Sequence, residues 1–231
     1  SQLVIQNFDS KVNGGKLAIN YQSIGSAFTG FGEAAAAGYD QASIDQLQKE
    51  KGLKRLGYSL DGMKVGSLSL TDAYKSVGDS AGKIAWSNFG IKQGGLSLDW
   101  QSRHVDSTFT RFNDISEADR AQLQKEAGLL RNTMSAGYDA KFGKLGFSDL
   151  TIRDDNGQAI EKQTYLIDNS RFHFSGGQQN IASGFTKFGN LLEADKAQLE
   201  RTVEERTVEI RKQRDQIAAE EEKSQSLLLN I

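Results

Sequence analysis

Cysteine is absent from the 231 residues of this chain, and so is proline. Without a thiol there can be no disulfide, no thiolate zinc or iron-sulfur site and no cysteine nucleophile. Ordinary proline usage of about 5% would supply about eleven, so polyproline recognition and cis-proline turns are excluded as well. Neither sign of charge dominates: 28 basic residues face 30 acidic ones, and the net charge of −2 gives no electrostatic basis for nucleic acid or an anionic membrane. No apolar run approaches the roughly 18 residues of a membrane-crossing helix. What is plentiful is glycine, with 24 residues beside 37% hydrophobic ones, which describes a turn-rich chain of one or two domains that can still bury a core.

The chain repeats itself. Ala121 to Glu126 reads Ala-Gln-Leu-Gln-Lys-Glu; Asp45 to Glu50 is nearly the same text upstream, and Ala197-Gln198-Leu199-Glu200 follows downstream. Gln46, Gln122 and Gln198 are evenly spaced, so the repeating unit is about 76 residues long. Phe109-Thr110-Arg111-Phe112 returns one repeat later as Phe185-Thr186-Lys187-Phe188, and Leu96 and Leu98 return as Phe172 and Phe174. In the first copy the pair is Phe28-Thr29-Gly30-Phe31, displaced by 81, so that copy carries five extra residues before its helix. Ala34 to Gly38 is the stretch that would be surplus. The chain is about two and a half copies of one unit.

Within a unit, Leu96, Leu98 and Trp100 alternate with polar residues, as do Met134, Ala136, Tyr138, Ala140 and Phe142, the period of strands with one buried face. Ile115 to Leu130 does not alternate, and with Ser116 as N-cap and Gly128 at its end it predicts a short amphipathic helix. Two more strands follow around Leu145 to Arg153 and Ala159 to Ile167, joined at Asp155-Asn156-Gly157, which suits a type I′ turn. Alternation breaks between Trp86 and Phe89 and between Phe147 and Leu150, a pattern that suits bulges or twist. The expected fold is therefore α+β, mainly β: an antiparallel sheet of about 2.5 repeats with short helices over residues 1–192, then a long helix over 193–231. The alternative is a closed β-barrel, although several strands place lysine, aspartate or serine where a lipid-facing barrel needs an apolar band.

After Gly189 there is no glycine to the end, which over 193–231 predicts a helix of up to about 38 residues, roughly 57 Å. Val203, Ile210, Ile217 and Ile231 fall at multiples of seven, with Ser224 interrupting the series. So thin a stripe is marginal alone, and the helix is expected to pair with a copy of itself or pack on the sheet. The text Val203-Glu204-Glu205-Arg206-Thr207-Val208-Glu209-Ile210, followed by Lys223-Ser224-Gln225-Ser226-Leu227-Leu228-Leu229-Asn230-Ile231, resembles the connecting helix that precedes the catalytic domain of bacterial class III adenylate or guanylate cyclases. The resemblance is confined to this terminal stretch and implies a parallel dimer that transmits a signal; the cyclase catalytic domain, with its metal-binding aspartates, is not in this sequence. The β units resemble long bacterial envelope repeat proteins in style only, which goes with an envelope or extracellular location.

Chemistry is hard to place on these residues. Asp154-Asp155-Asn156-Gly157 would make a calcium loop only with Ile152 as first ligand and Gln163 as twelfth, neither of them usable, so a hairpin turn is the reading. Gly30-Phe31-Gly32-Glu33-Ala34-Ala35 has the letters of a dinucleotide fingerprint, but the next unit places Arg111, Phe112 and Asn113 there. His104 and His173 sit on strands with no carboxylate and hydroxyl at a catalytic spacing. No catalytic, cofactor-binding or metal residue is assigned, and no cofactor is expected. The recurring pairs Phe28 and Phe31, Phe109 and Phe112, Phe185 and Phe188 read as structural anchors that seal each sheet end against its helix. The expected function is a non-catalytic structural or interaction protein that self-associates through sheet edges or the terminal helix, with a sensory or spacer segment of a signalling protein as the alternative.

Overall fold

A computed structural model describes residues 2–141 and 143–228, with side chains described except at 198, 202, 203, 205, 206, 209 and 218–228. Ten strands run in chain order across one antiparallel sheet, each hydrogen-bonded to its sequence neighbours, and the sheet does not close into a barrel. They are β1 (Leu3–Val12), β2 (Gly15–Ile24), β3 (Lys54–Val65), β4 (Leu68–Gly78), β5 (Lys83–Gln93), β6 (Leu96–Val105), β7 (Leu129–Ala140), β8 (Gly143–Asp154), β9 (Ala159–Asp168) and β10 (His173–Ile181). The helices are α1 (Phe31–Ala36) and α2 (Gln41–Lys49) between β2 and β3, α3 (Arg120–Lys125) between β6 and β7, and α4 (Glu193–Leu228) after β10. The chain falls into two compact units, Ser1–Lys187 with the whole sheet and Phe188–Ile231 with α4.

All helix-bearing connections of the first unit lie at one end of the sheet, because tight hairpins close the other. Asn13 and Gly14 join β1 to β2 with φ of 45° and 77°, so the type I′ turn with its two left-handed residues is here. At Asp154–Gln158 only Gly157 has positive φ, so the expected type I′ turn is a type I turn with a glycine-borne bulge: the Gly157 and Asp154 amides donate to the Asp154 and Gln158 carbonyls. The Asp154 carboxylate accepts from the Asn156 and Gln158 amides, which gives the turn a different stabiliser from asparagine's tolerance of positive φ.

Two other sequence readings need correction. The helix expected over Ile115 to Leu130 is only the six residues of α3, and Ser116 does not cap it. Tertiary pairing overrides local propensity there: Ile115 is buried in the core, Glu117 is drawn into an ion pair and Ser116 Oγ accepts from Arg55. The bulges expected near Trp86 and Phe147 are absent, since the β4–β5, β5–β6, β7–β8 and β8–β9 ladders are continuous; the sheet's irregularity lies between Leu60 and Met63, beside Gly62.

The broken alternation has a different cause. Ladder partners share a face, so Val77, Ile84, Val105 and Leu129 lie together on one face near the helical end. Phe109, Phe112, Ile115 and Leu123 of the β6–β7 connection form with Val77, Ile84 and Val105 a buried core, to which Leu53 also belongs. A smaller core of the first copy gathers Ile24, Phe31, Ala34, Ile44 and Leu47. Towards the hairpin end the apolar residues change to the opposite face. Along β5 Ile84 and Trp86 point to the capped face and Phe89 and Ile91 to the bare one, and along β8 Phe147 is on the bare face and Ile152 on the capped one.

The first copy's extra residues can now be placed. Ala34 is buried where the longer displacement of the first copy puts Ile115, and Leu191, one repeat beyond Ile115, is buried too. The surplus is therefore Ala35 to Tyr39, one residue later than the sequence suggested, because Ala34 is a core residue. Excising Ala35–Tyr39, the exposed last two residues of α1 and the surface turn after it, should change stability by less than about 1 kcal/mol. Excising Ala34–Gly38 forces half-exposed Tyr39 into the core and should cost about 1–3 kcal/mol. Denaturant melts of the two deletions, read by far-ultraviolet circular dichroism, check the order; equal losses would overturn the equivalence of Ala34 and Ile115.

Candidate functional site

Glu50, Glu117 and Glu126 are buried carboxylates at the helical end, each held by neighbouring side chains. In the first copy Glu50, at the C-cap of α2, accepts from Gln46 one turn earlier at 2.7 Å and from Gln22 on β2 at 2.7 Å. In the second copy Glu126, at the C-cap of α3, accepts from Gln122 at 3.0 Å and from Arg103 on β6 at 2.6 Å. The repeated text Gln-Leu-Gln-Lys-Glu thus encodes a buried carboxylate with a glutamine that satisfies it, a role that spacing alone did not disclose.

Arg55 binds two carboxylates at once. It grips Glu50 through Nε and Nη2 at 2.9 and 2.7 Å, and it reaches Glu117 of the next copy through Nη1 at 2.7 Å. Lys75 on β4 joins Glu117 at 2.7 Å and stands 4.9 Å from the centre of the Trp86 ring. Burial by itself would raise the Glu117 carboxyl, but the hydrogen bonds and positive charges of Arg55 and Lys75 overcome it and push the group down to about 2. Burial would likewise lower the Arg55 guanidinium, and its two carboxylate partners instead raise it.

In the second and third copies the residue just before the second phenylalanine of the anchor has a distinct job. Arg111 donates to the Lys51 carbonyl at 2.6 Å and the Lys49 carbonyl at 2.8 Å, at the C-terminal end of the previous copy's helix α2. Lys187, its equivalent one repeat on, donates to the Gly128 carbonyl at 3.1 Å, beyond the end of α3, and pairs with Asp155. A cation at a helix C-terminus meets unpaired carbonyls and the negative end of the dipole. The first copy has Gly30 in this place. Gly52 and Gly128, with φ of 81° and 75°, make room for these cations: a Cβ on Gly52 would lie 3.3 Å from Arg111 Nη1, and one on Gly128 would collide with Lys187 Nζ.

The aromatic anchors occupy graded positions. Phe109 and Phe112 meet edge to face at 5.0 Å inside the larger core, and Phe28 and Phe31 do so at 4.9 Å, with Phe28 half-buried. Phe185 is buried and Phe188 is exposed. On α4, Ile210 and Ile217 are exposed; the side chain of Val203, and Ile231 altogether, lie outside the described residues. His104 Nε2 lies 3.5 Å from Asp106 and His173 Nδ1 lies 3.4 Å from Asp168, each a pair at a strand end. Among the described residues no three His, Asp or Glu side chains gather as a metal site, and no helix is long and apolar enough to cross a membrane.

The surface left uncommitted is the bare face of the sheet. Its row nearest the hairpin end runs through Leu96, Tyr138, Leu145, Ile167 and Phe174. The next row carries Leu98, Ala136, Phe147 and Tyr165, the last two rings 5.5 Å apart, and a third carries Phe89, Trp100 and Met134. Directly behind these rows, the capped face bears small or polar residues such as Gly90, Asp99, Ser135, Ser148 and Thr164. Compared with known proteins, the chain matches no protein family, no curated protein and no solved structure.

Proposed function

We propose that the chain is a non-catalytic structural or interaction protein whose repeats build an extended sheet for assembly. The observation that supports this is the open meander. Strands β1 and β10 each pair on one side only, leaving a row of backbone donors and acceptors able to accept another strand, while the Arg55–Glu117 pair and the Arg111 and Lys187 contacts join repeat to repeat. Sedimentation equilibrium of the full chain over the micromolar range should give a mass above the monomer that rises with concentration. A strict monomer throughout that range would overturn the reading.

One observation favours the second reading, a sensory or spacer segment of a cyclase-type signalling protein. Helix α4 is a single run of 36 residues in which Val208, Ile210 and Ile217 are exposed, and an isolated helix with so thin a stripe is expected to pair. In a chain without cysteine, Ile210→Cys should give a disulfide-linked dimer on mild oxidation if two helices run parallel in register, and adding Ile217→Asp should abolish it. A monomeric cysteine variant would remove this reading and leave the assembly role with the sheet.

A further inference from the structure

Antiparallel sheets ordinarily have one face against a core and one in water, and the strands here divide their apolar residues between two faces. At the helical end the connections of the repeats bury the apolar residues of the capped face. At the hairpin end the apolar residues are on the bare face, where no helix of the first unit packs: Leu96, Tyr138 and Phe174 of its outer row are 46, 45 and 55% exposed. The arrangement is too regular to be scattered surface apolarity, since it keeps one phase across the ladders from β5 to β10.

We infer that the bare face of β5–β10 packs against the same face of a second copy of this chain, sheet on sheet. This rests on the assembly reading above and names its surface. Strands spaced about 4.8 Å apart and same-face residues about 6.8 Å apart make six strands by three rows a patch of roughly 600 Å². Two such patches bury roughly 1,200 Å², the lower limit for a stable protein interface, and a pleated face is the shape that fits another pleated face at about 10 Å. Charge argues against a membrane as the occupant. No lysine or arginine stands in these rows, Asp149 in the third is acidic and Asp72 continues that row on β4, so an anionic membrane surface is disfavoured. Trp100, Met134, Tyr138 and Tyr165 are of the types that protein interfaces favour. The small polar residues behind them suit the outer, solvated side of such a pair.

The test uses the full chain with Ile217→Asp, which disables pairing through α4. Sedimentation equilibrium should still show a dimer. Leu96→Lys with Leu145→Lys, two strands apart on the bare face, should weaken it at least tenfold, while Ser97→Lys with Ser175→Lys on the opposite face of the same sheet should leave it within twofold. Circular dichroism melts establish that each variant is folded. As an independent readout, Trp86→Phe leaves Trp100 as the only tryptophan, and its emission should shift to the blue as concentration crosses the dimer midpoint. A monomeric Ile217→Asp chain whose parent associates would overturn the face-to-face pair and leave the assembly reading standing through the helix; a parent that is itself monomeric would overturn both. Equal dimerisation of the bare-face and opposite-face lysine variants would also overturn it, as would a monomer that binds neutral phosphatidylcholine vesicles through Leu96 and Leu145.

Discussion

Replacing Phe109 with alanine is expected to cost about 3–5 kcal/mol and, in a chain of this size, to lower the melting temperature by roughly 10 °C or more. The ring is 1% exposed, stands edge to face on Phe112 and fills the larger core with Val77, Ile84, Val105 and Leu123. Those residues come from β4, β5, β6 and α3, so the cavity would loosen the cap and the strands it covers together. Phe188→Ala, in the third copy's anchor at the position that matches buried Phe112 but where the ring is exposed, should cost under about 1 kcal/mol. Chemical denaturation of both variants checks the contrast; similar losses would mean that the anchors are used alike in all copies.

Arg55→Met should cost about as much, about 3–5 kcal/mol, for a different reason. Methionine keeps much of the packing volume but leaves Glu50 and Glu117, both buried, without the guanidinium that joins them. Lys75 still reaches Glu117, whereas Glu50 retains only its glutamines, so adding Glu50→Gln to Arg55→Met should recover a large share of the loss. No recovery would show that the cost came from packing. The same cluster sets a pH dependence. Glu117 is held at about 2 in the folded chain against an ordinary 4.5, so its contribution is fully present above about pH 4.5 and is lost as the pH falls towards 2. The difference corresponds to about 3 kcal/mol between these limits. Stability measured by urea titration should fall across that window in the parent and fall less in Arg55→Met.

The repeat, the antiparallel strands and the long terminal helix were legible because they depend on short-range signals: recurring text, period-2 alternation and the absence of glycine. Leu129–Ala140 and Ala159–Asp168 agree with the alternation that announced them. The missed features are those in which a residue's state is set by a distant partner. Ser116 has the composition of an N-cap and serves Arg55 instead; Ala34 looks like part of an insertion and is a core residue; Glu50 and Glu126 look like solvated helix residues and are buried. The contrast among Gly30, Arg111 and Lys187 was visible in the text, but its meaning needs the carbonyls that the two cations reach.

The sequence by itself determined the repeat, its mainly β character and the strand phases, since alternation and repetition are written in the order of residues. Only the tertiary structure decided which face each apolar run serves. A strand's alternation records that one side is apolar but not where along the strand a cap ends, and here the caps cover one face at the helical end while the apolar residues beyond them turn to the other. It decided the charge network too, because Arg55 and Glu117 are 62 residues apart in the chain and meet only when neighbouring repeats lie side by side. Pairing energies of that kind depend on burial and distance, which no local pattern carries.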